Sequence, residues 1–463
     1  MSEIFKPNTT EQLIDVIQWA NAHESALAVQ GSGSKIGIGR PVDAEGILDL
    51  SGFSGVSQYE PNELVLTAGA GTPLADIEKL LTEHRQMLAF EPPDYSGIFH
   101  DHLSEKQRSF TENGGTLSEK QNSLPKKRGT LGGVLAGNIS GPRRFYAGAA
   151  RDHFLGFRAV SGRGEPFKSG GRVVKNVTGF DLSKLMAGSW GTLAACWEVT
   201  VKVLPMPEKT RTLLLFGLSD EDASRCIGSA AATPNSISGA SYLPASLSTR
   251  PARSSISSVF ANNPQSSVIA LRVEGPEPSV EHRINALREL LTNSNDYARP
   301  NHVGVLHSAD SRVFWNEVGN LHFLSSGFQA SNAQQKECWR LSVPPAVGWQ
   351  VARNITEKVF QNNPEVSWFS DQAGGLIWLS CPVNTQAGVP AKNSEHAIRS
   401  AMEPWGGHAT LWQVTGGDNA ADHRRNTQVF QPQPEALAAL SQRVKRSFDP
   451  NGVLNPGRMY AGL

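Results

Sequence analysis

The stretch from residue 171 to residue 204 constrains the fold of this chain more than any other. A short β-run ends in a polar turn at Gly179, followed by the amphipathic Asp181-Leu-Ser-Lys-Leu-Met-Ala187. A second turn carries Gly188 and Gly191, and the strand-like Trp197-Glu-Val-Thr-Val-Lys-Val-Leu204 closes the unit. Glycine has no Cβ and reaches positive φ without strain, so its backbone can lie close against a flat ring or a pyrophosphate. Gly179, Gly188 and Gly191 are candidate contacts for a planar ligand, or they simply turn the chain.

With 463 residues, the chain is longer than the ~250 to 300 residues at which single cores stop growing, so at least two domains are expected. Lys plus Arg and Asp plus Glu balance at 43 each, which leaves no global field to draw the protein to nucleic acid or to an anionic membrane. Cys196, Cys226, Cys338 and Cys381 are scattered, without the Cys-x-x-Cys spacing of zinc or iron–sulfur sites. No metal is expected, and the pair His100 and His102 lacks further ligands. Sparse single cysteines fit a reducing compartment. No signal-peptide pattern opens the chain and no apolar run approaches the ~20 residues of a membrane span, so a cytoplasmic protein with no transmembrane segment is expected.

The chain divides into three parts: residues 1–207, a mixed region over 208–415 that begins after the prolines at 205 and 207, and a helix and tail over 416–463. In the first part Thr9 and Glu11 precede apolar residues at 13, 14, 17 and 20, which predicts a helix. Leu27-Ala-Val-Gln30 predicts a strand that empties into Gly31-Ser-Gly-Ser-Lys35, a loop whose successive N–H groups can form an anion nest beside a lysine charge. Its glycine spacing misses both the Walker and the dinucleotide fingerprints. Gly132, Gly133, Ala136, Gly137 and Ser140 leave one face of a helix nearly bare, to be filled by a flat ligand or by another backbone. Residues 95–128 contain Leu103-Ser-Glu-Lys-Gln-Arg-Ser-Phe110 and its near-copy Leu117-Ser-Glu-Lys-Gln-Asn-Ser-Leu124, and are expected to be an inserted polar loop. In the second part the runs at 213–216, 267–273, 338–343, 375–380 and 409–414 predict strands alternating with helices, an antiparallel sheet with helices on one face. Residues 236–267, rich in Ser, Ala, Pro and Asn, are expected to be loop with little core.

Lys175-Asn-Val-Thr-Gly-Phe-Asp-Leu-Ser-Lys-Leu185, Gly141-Pro-Arg-Arg144, Trp339-Arg-Leu-Ser-Val-Pro-Pro345, Gly406-Gly-His-Ala-Thr410 and the Asp449 to Met459 tail together carry a resemblance. They resemble the PCMH-type, or vanillyl-alcohol-oxidase-type, FAD-binding flavoproteins, and within them the E subunits of bacterial glycolate oxidases (glycolate dehydrogenases). That likeness implies an α+β fold: a two-subdomain FAD-binding domain followed by a substrate domain with an antiparallel sheet, the tail returning to the first domain. It also implies non-covalent FAD, with its pyrophosphate on Gly31, Ser32, Gly33, Ser34 and Lys35. Gly132, Gly133, Asn138, Ser140 and Gly141 would line the flavin and ribityl chain, Gly179, Asp181, Gly188 and Thr192 would complete the cradle, and Cys196 would lie beside the isoalloxazine. Two departures stand out: Ala194 where the family has glycine, and the insertion before Gly129.

The resemblance further implies oxidation of glycolate or a similar small 2-hydroxy acid, with Arg340 on the carboxylate and His408 taking the hydroxyl proton. Arg143 and Arg144 are left between FAD phosphate, substrate carboxylate and a partner's acid. The implied partners are a catalytic flavoprotein D subunit and an iron–sulfur F subunit, with attachment to the inner membrane through them. Two alternatives stay open: a free-standing FAD-dependent 2-hydroxy-acid dehydrogenase, and a structural subunit that has lost FAD.

Overall fold

The computed structural model describes residues 3–95, 129–171, 179–248, 266–325, 335–383, 394–415 and 420–463. The repeat at 103–124, His100, His102 and the start of the Lys175 motif lie outside them.

Helix α1 (Thr10–Ala22) starts where the Thr9 side chain accepts a hydrogen bond from the Gln12 N–H, and it buries Leu13, Ile17 and Ala20. That i, i+4, i+7 face packs on Leu27, Leu48, Val160 and Ala195. The strands beneath it, β1 (Glu3–Phe5), β2 (Leu27–Gln30) and β3 (Gly46–Asp49), form a parallel sheet in the order β1-β3-β2. The tail completes its open edge: Leu27 N–H donates to the Val453 carbonyl at 2.7 Å and Asn455 N–H to the Leu27 carbonyl at 3.0 Å.

A second sheet has the order β4-β5-β8-β6-β7, built from β4 (Val56–Glu60), β5 (Val65–Gly69), β6 (Phe154–Ser161), β7 (Pro166–Gly170) and β8 (Ala194–Lys202). Helix α2 (Leu74–Glu83) and the short helices α3 (Leu131–Ala136), α4 (Arg144–Ala147), α5 (Ala150–His153) and α6 (Leu182–Met186) connect and cover these strands. Ala194 opens β8 opposite Ser161 and is buried at 3 % exposure, so its methyl group takes an ordinary core position.

The third sheet has eight strands, all antiparallel. They are β9 (Lys209–Phe216), β10 (Gly239–Leu243), β11 (Val268–Gly275), β12 (His302–Leu306), β13 (Lys336–Ser342), β14 (Ser367–Asp371), β15 (Leu376–Pro382) and β16 (His408–Thr415). Their order is β12-β9-β11-β10-β14-β15-β13-β16. One face packs apolar residues of helices α7 (Asp220–Ala231) and α8 (Glu277–Thr292) against Leu213, Leu271, Trp339 and Leu379. The other face, with Leu214, Phe216, Trp378 and Trp412, merges with the core of the N-terminal half.

The expectation of a loop over 236–267 is corrected by β10, whose five residues are all buried. Buried on both faces, such a strand shows no alternation, and Gly-Ala-Ser-Tyr-Leu lacks β-branched residues. It joins the two halves of the sheet through the pair Tyr242 and Ser370 and through Ser241 Oγ, which donates to the Ser370 carbonyl at 2.7 Å. Residues 249–265 lie outside the described part.

The eight-stranded sheet is tied to the N-terminal half by an ion network. Arg272 donates to both oxygens of Glu91, at 2.8 and 2.9 Å, and Arg143 Nη2 meets Glu274 at 2.6 Å. Desolvation alone would raise the Glu91 pKa, but Arg272 and Arg143 hold it below the usual carboxylate value.

Candidate functional site

The loop after β2 meets the start of α3. A Cβ placed on Gly31 would lie 2.6 Å from Thr130 Oγ1, so only a bare backbone fits there. Among the described residues the N–H groups of residues 31–35 donate to no acceptor, and the Ser32 hydroxyl is buried without a partner. Lys35 Nζ donates to Ser34 Oγ at 3.2 Å and, among the described residues, has no carboxylate within salt-bridge distance. Burial lowers its pKa to about 8 against the opposing charge of Asp94. Five free donors, an orphaned hydroxyl and an unpaired ammonium form a site for an anionic group. Across the seam, Gln413 of β16 lies against Gly37, and Gln413 Oε1 and Trp412 Nε1 are likewise buried without partners. These residues fit a cofactor bearing a pyrophosphate and a polar ring.

The remaining glycines divide by environment. Gly133 is less crowded than Gly132: an added Cβ would meet Thr130 Oγ1 at 3.2 Å and Lys35 Nζ at 3.7 Å, both side-chain atoms. At Gly132 an added Cβ would lie 2.6 Å from the Ala70 Cβ and 2.8 Å from its carbonyl. Gly132 is glycine for helix packing, and Gly141 likewise gives way to the Glu91 carbonyl. Asn138 Oδ1 and Ser140 Oγ accept from the N–H groups of Arg151 and Ala150, at 3.0 and 2.8 Å, so both are engaged at the start of α5. Gly188, at φ +86°, faces Asn138 across 3.7 Å. Thr192 Oγ1 donates to the Ser189 carbonyl at 2.7 Å. Burial pushes the Cys196 thiol up to about 12, leaving it protonated. Gly179 and Asp181 lie exposed, Asp181 paired with Lys184 at 3.4 Å.

A second constellation lies on the face of the eight-stranded sheet that meets the N-terminal half. Arg340 pairs across the strands with Trp378 and Thr410, and strand alternation puts His408 and Trp412 on its face. Trp412 stands 5.6 Å from Trp378 and 5.8 Å from Tyr95, ring to ring, and the Arg340 guanidinium lies 5.9 Å from the Trp412 centroid. Arg340 makes no hydrogen bond or ion pair among the described residues. Its pKa is lowered to about 10 by burial and then by Arg144, while Tyr95 and Asp371 act in the opposite sense. Helix α4, which Arg144 opens, packs against the turn Gln372–Gly374, where Gln372 and Ala373 hold positive φ. Arg144 also makes no ion pair among the described residues, whereas Arg143 is consumed by Glu274 and Glu91. His408 opens β16 at an exposed position; partial desolvation, then Arg340 and Arg144, holds its pKa below the usual imidazole value. Burial raises Asp371 to about 7.

Sequence reasoning missed the residues that brace the loop from far along the chain. Asn455 accepts from the Val29 N–H at 2.8 Å and donates to the Trp190 carbonyl at 2.8 Å, linking β2 to the turn at Gly191. Only its place in Leu454-Asn-Pro-Gly457, a turn signal, marked it.

A glycine-loop half with an empty-handed anion nest, covered by an antiparallel sheet, defines a flavoprotein of the PCMH-type FAD-binding class. Residues 2–98 match the family of the FAD binding domain. Solved structures share the fold: an alkyldihydroxyacetonephosphate synthase (TM-score 0.67, 16 % identity, 98 % of this chain and 75 % of that one) and p-cresol methylhydroxylase with substrate bound (TM-score 0.63, 12 %, 99 % and 88 %). Glycolate oxidase subunit GlcE of Escherichia coli (strain K12) is 30 % identical over 455 residues, 98 % of each chain, and the chain belongs to that family of FAD-dependent oxidoreductases. Glycolate oxidase subunit GlcD of Bacillus subtilis (strain 168) is 22 % identical over 99 % of this chain and 88 % of its own. A D-lactate dehydrogenase of Archaeoglobus fulgidus is 24 % identical over 48 % of this chain and 43 % of its own. Among the described residues no helix is long and apolar enough to cross a membrane.

Proposed function

We propose that this chain is the FAD-binding subunit of a glycolate-oxidising complex that converts a small 2-hydroxy acid to its 2-oxo acid. The observation that carries the reading is the grouping of Arg340 and Arg144, neither ion-paired among the described residues, near enough to lower the His408 pKa, with Arg340 and His408 sharing the sheet face that turns toward the cofactor half. Residues 31–35 and Gly133 hold the FAD, which when bound supplies the hydride acceptor. Arg340 and Arg144 hold the substrate carboxylate. His408, kept neutral by partial desolvation and by its cationic neighbours, accepts the hydroxyl proton at a ring nitrogen as the α-carbon gives up its hydrogen with the bonding pair and the C–O bond becomes a carbonyl. Tyr95, Trp378 and Trp412 wall the site against water. The four cysteines provide no cluster of their own, so the electrons leave to an iron–sulfur partner beside a second flavoprotein subunit, and through these partners the protein reaches the inner membrane.

The test is the visible spectrum of the purified chain under anaerobic conditions, alone and with its partners, before and after glycolate. A flavin band that bleaches only in the assembled complex supports the reading. Bleaching by the isolated chain would make it a free-standing dehydrogenase, and a colourless protein that added FAD does not restore would make it a structural subunit.

FAD affinity should depend on pH. The anion needs Lys35 charged, and the free protein holds that lysine near 8. Below that value the charge is already present. Above it a proton must be taken up on binding, so the dissociation constant measured by flavin fluorescence should rise, by up to about tenfold per pH unit. Lys35→Met should bind more weakly and lose this dependence.

A further inference from the structure

Two arginines outside the constellations above converge on the far side of the same loop. Arg424 belongs to the helix α9 (Ala420–Asn426) and is 7 % exposed; its Nη1 donates to the carbonyls of Ile36 at 3.2 Å and Gly39 at 3.0 Å. Arg458, in the tail, donates from Nη1 to the Ile36 and Arg40 carbonyls at 3.3 and 3.2 Å and from Nη2 to the Lys35 carbonyl at 2.8 Å. The Arg40 N–H returns a bond to the Arg458 carbonyl at 3.0 Å. Neither side chain meets a carboxylate among the described residues. Burial, then mutual repulsion, lowers the Arg458 pKa to about 9.

Arg424, buried, and Arg458, half-buried with its guanidinium 5.9 Å from the Trp190 ring centroid, meet peptide oxygens and that ring but no carboxylate among the described residues, which leaves their charge uncompensated. An anion seated on the opposite side of the loop, where the N–H groups of residues 31–35 have no acceptor among the described residues, supplies that compensation. The Lys35 carbonyl drawn to Arg458 polarises the Ile36 N–H of the same peptide group, which donates to the Gly33 carbonyl at 3.3 Å and so strengthens the Ser34 N–H beyond it. Arg424 is held in turn through its neighbour: His423 Nε2 lies 2.7 Å from Glu337 Oε1, on the strand β13 that carries Arg340.

We propose that Arg424 and Arg458 are positioning residues for the cofactor: they fix the carbonyls of residues 35–40 so that the free N–H groups of residues 31–35 stay turned to the FAD pyrophosphate. This rests on the reading that residues 31–35 hold that pyrophosphate.

The test measures the FAD dissociation constant and the melting temperature of the flavin-free full chain for Arg458→Gln, Arg424→Gln, Arg424→Lys and Lys35→Met. Each glutamine variant should weaken FAD about tenfold or more, the loss expected for a charge-assisted hydrogen-bond pair. Arg424→Lys should recover part of that loss. The flavin-free melting temperature should move by no more than about 3 °C, since losing a buried unpaired charge offsets the lost hydrogen bonds. Unchanged FAD affinity in both glutamine variants overturns the proposal, and so does a large fall in melting temperature with wild-type affinity in the folded fraction. If Arg424→Gln does not fold, Arg458→Gln and Arg424→Lys decide the matter. Wild-type affinity in Lys35→Met would instead overturn the pyrophosphate reading itself.

Discussion

Arg340→Leu should lower kcat/KM for glycolate in the assembled oxidase by about 100- to 1,000-fold, the loss of a charged substrate clamp in a desolvated site, or about 3 to 4 kcal/mol. The fold should survive the change. Arg340 has no ion pair or hydrogen bond to forfeit among the described residues, and its cation–π contact with Trp412, at 5.9 Å, is worth about 2 kcal/mol when desolvated. Relieving a buried unpaired charge offsets that loss, so the melting temperature should hold or rise. Steady-state kinetics with a thermal melt on the same sample separates the two effects. Unchanged kcat/KM would remove Arg340 from the substrate site and leave it as a structural strand residue.

Glu91→Ala should be the most destabilising single change in the ion network. It leaves Arg272, 3 % exposed at its side chain, and Arg143, at 7 %, with Glu274 as the one carboxylate for two buried cations among the described residues, and an under-compensated buried charge costs about 3 kcal/mol. Urea denaturation should show the loss. The pH profile gives an independent check. Arg272 and Arg143 depress the folded pKa of Glu91 despite its desolvation. Its contribution is therefore complete above the unfolded value of about 4.3 and disappears as pH falls through the lower, folded value. The wild type should lose stability across that acid range more steeply than Glu91→Ala. Equal slopes would mean that the network does not tie the eight-stranded sheet to the N-terminal half as described.

Local pattern made much of this architecture readable. The 13, 17, 20 spacing marks α1, and the glycine- and serine-rich end of β2 marks a loop with spare donors. The apolar runs around 213, 268, 338, 376 and 409 mark five of the eight strands in the large sheet. What escaped was set by distant partners. β10 has no periodicity because both its faces are covered. The small residues of α3 read alike in sequence, yet Gly132 is pressed onto Ala70 while Gly133 faces the Lys35 ammonium. Asn138 and Ser140 look like ligand contacts, and their oxygens serve the first turn of α5. Arg143 and Arg144 are adjacent and chemically identical; only the fold sends one to Glu274 and the other toward Arg340. Nothing local connects Arg424 or Arg458 to a loop near the start of the chain.

That last separation has a consequence for biosynthesis. Asn455 bonds to Val29 across 426 positions and Arg458 to Lys35 across 423. At about 5 to 20 residues per second, the loop of residues 31–35 leaves the ribosome roughly 20 to 85 s before the braces that complete it. Until then β2 lacks the strand-edge partner supplied by Val453 and Asn455, and the carbonyls of residues 35–40 lack their guanidinium groups. A nascent chain can fold α1 and its parallel strands early, but on the proposed placement of FAD its loop is not yet braced to hold the cofactor. FAD supplied only during elongation should therefore not change the yield of holoprotein, whereas FAD supplied after synthesis of residue 458 should.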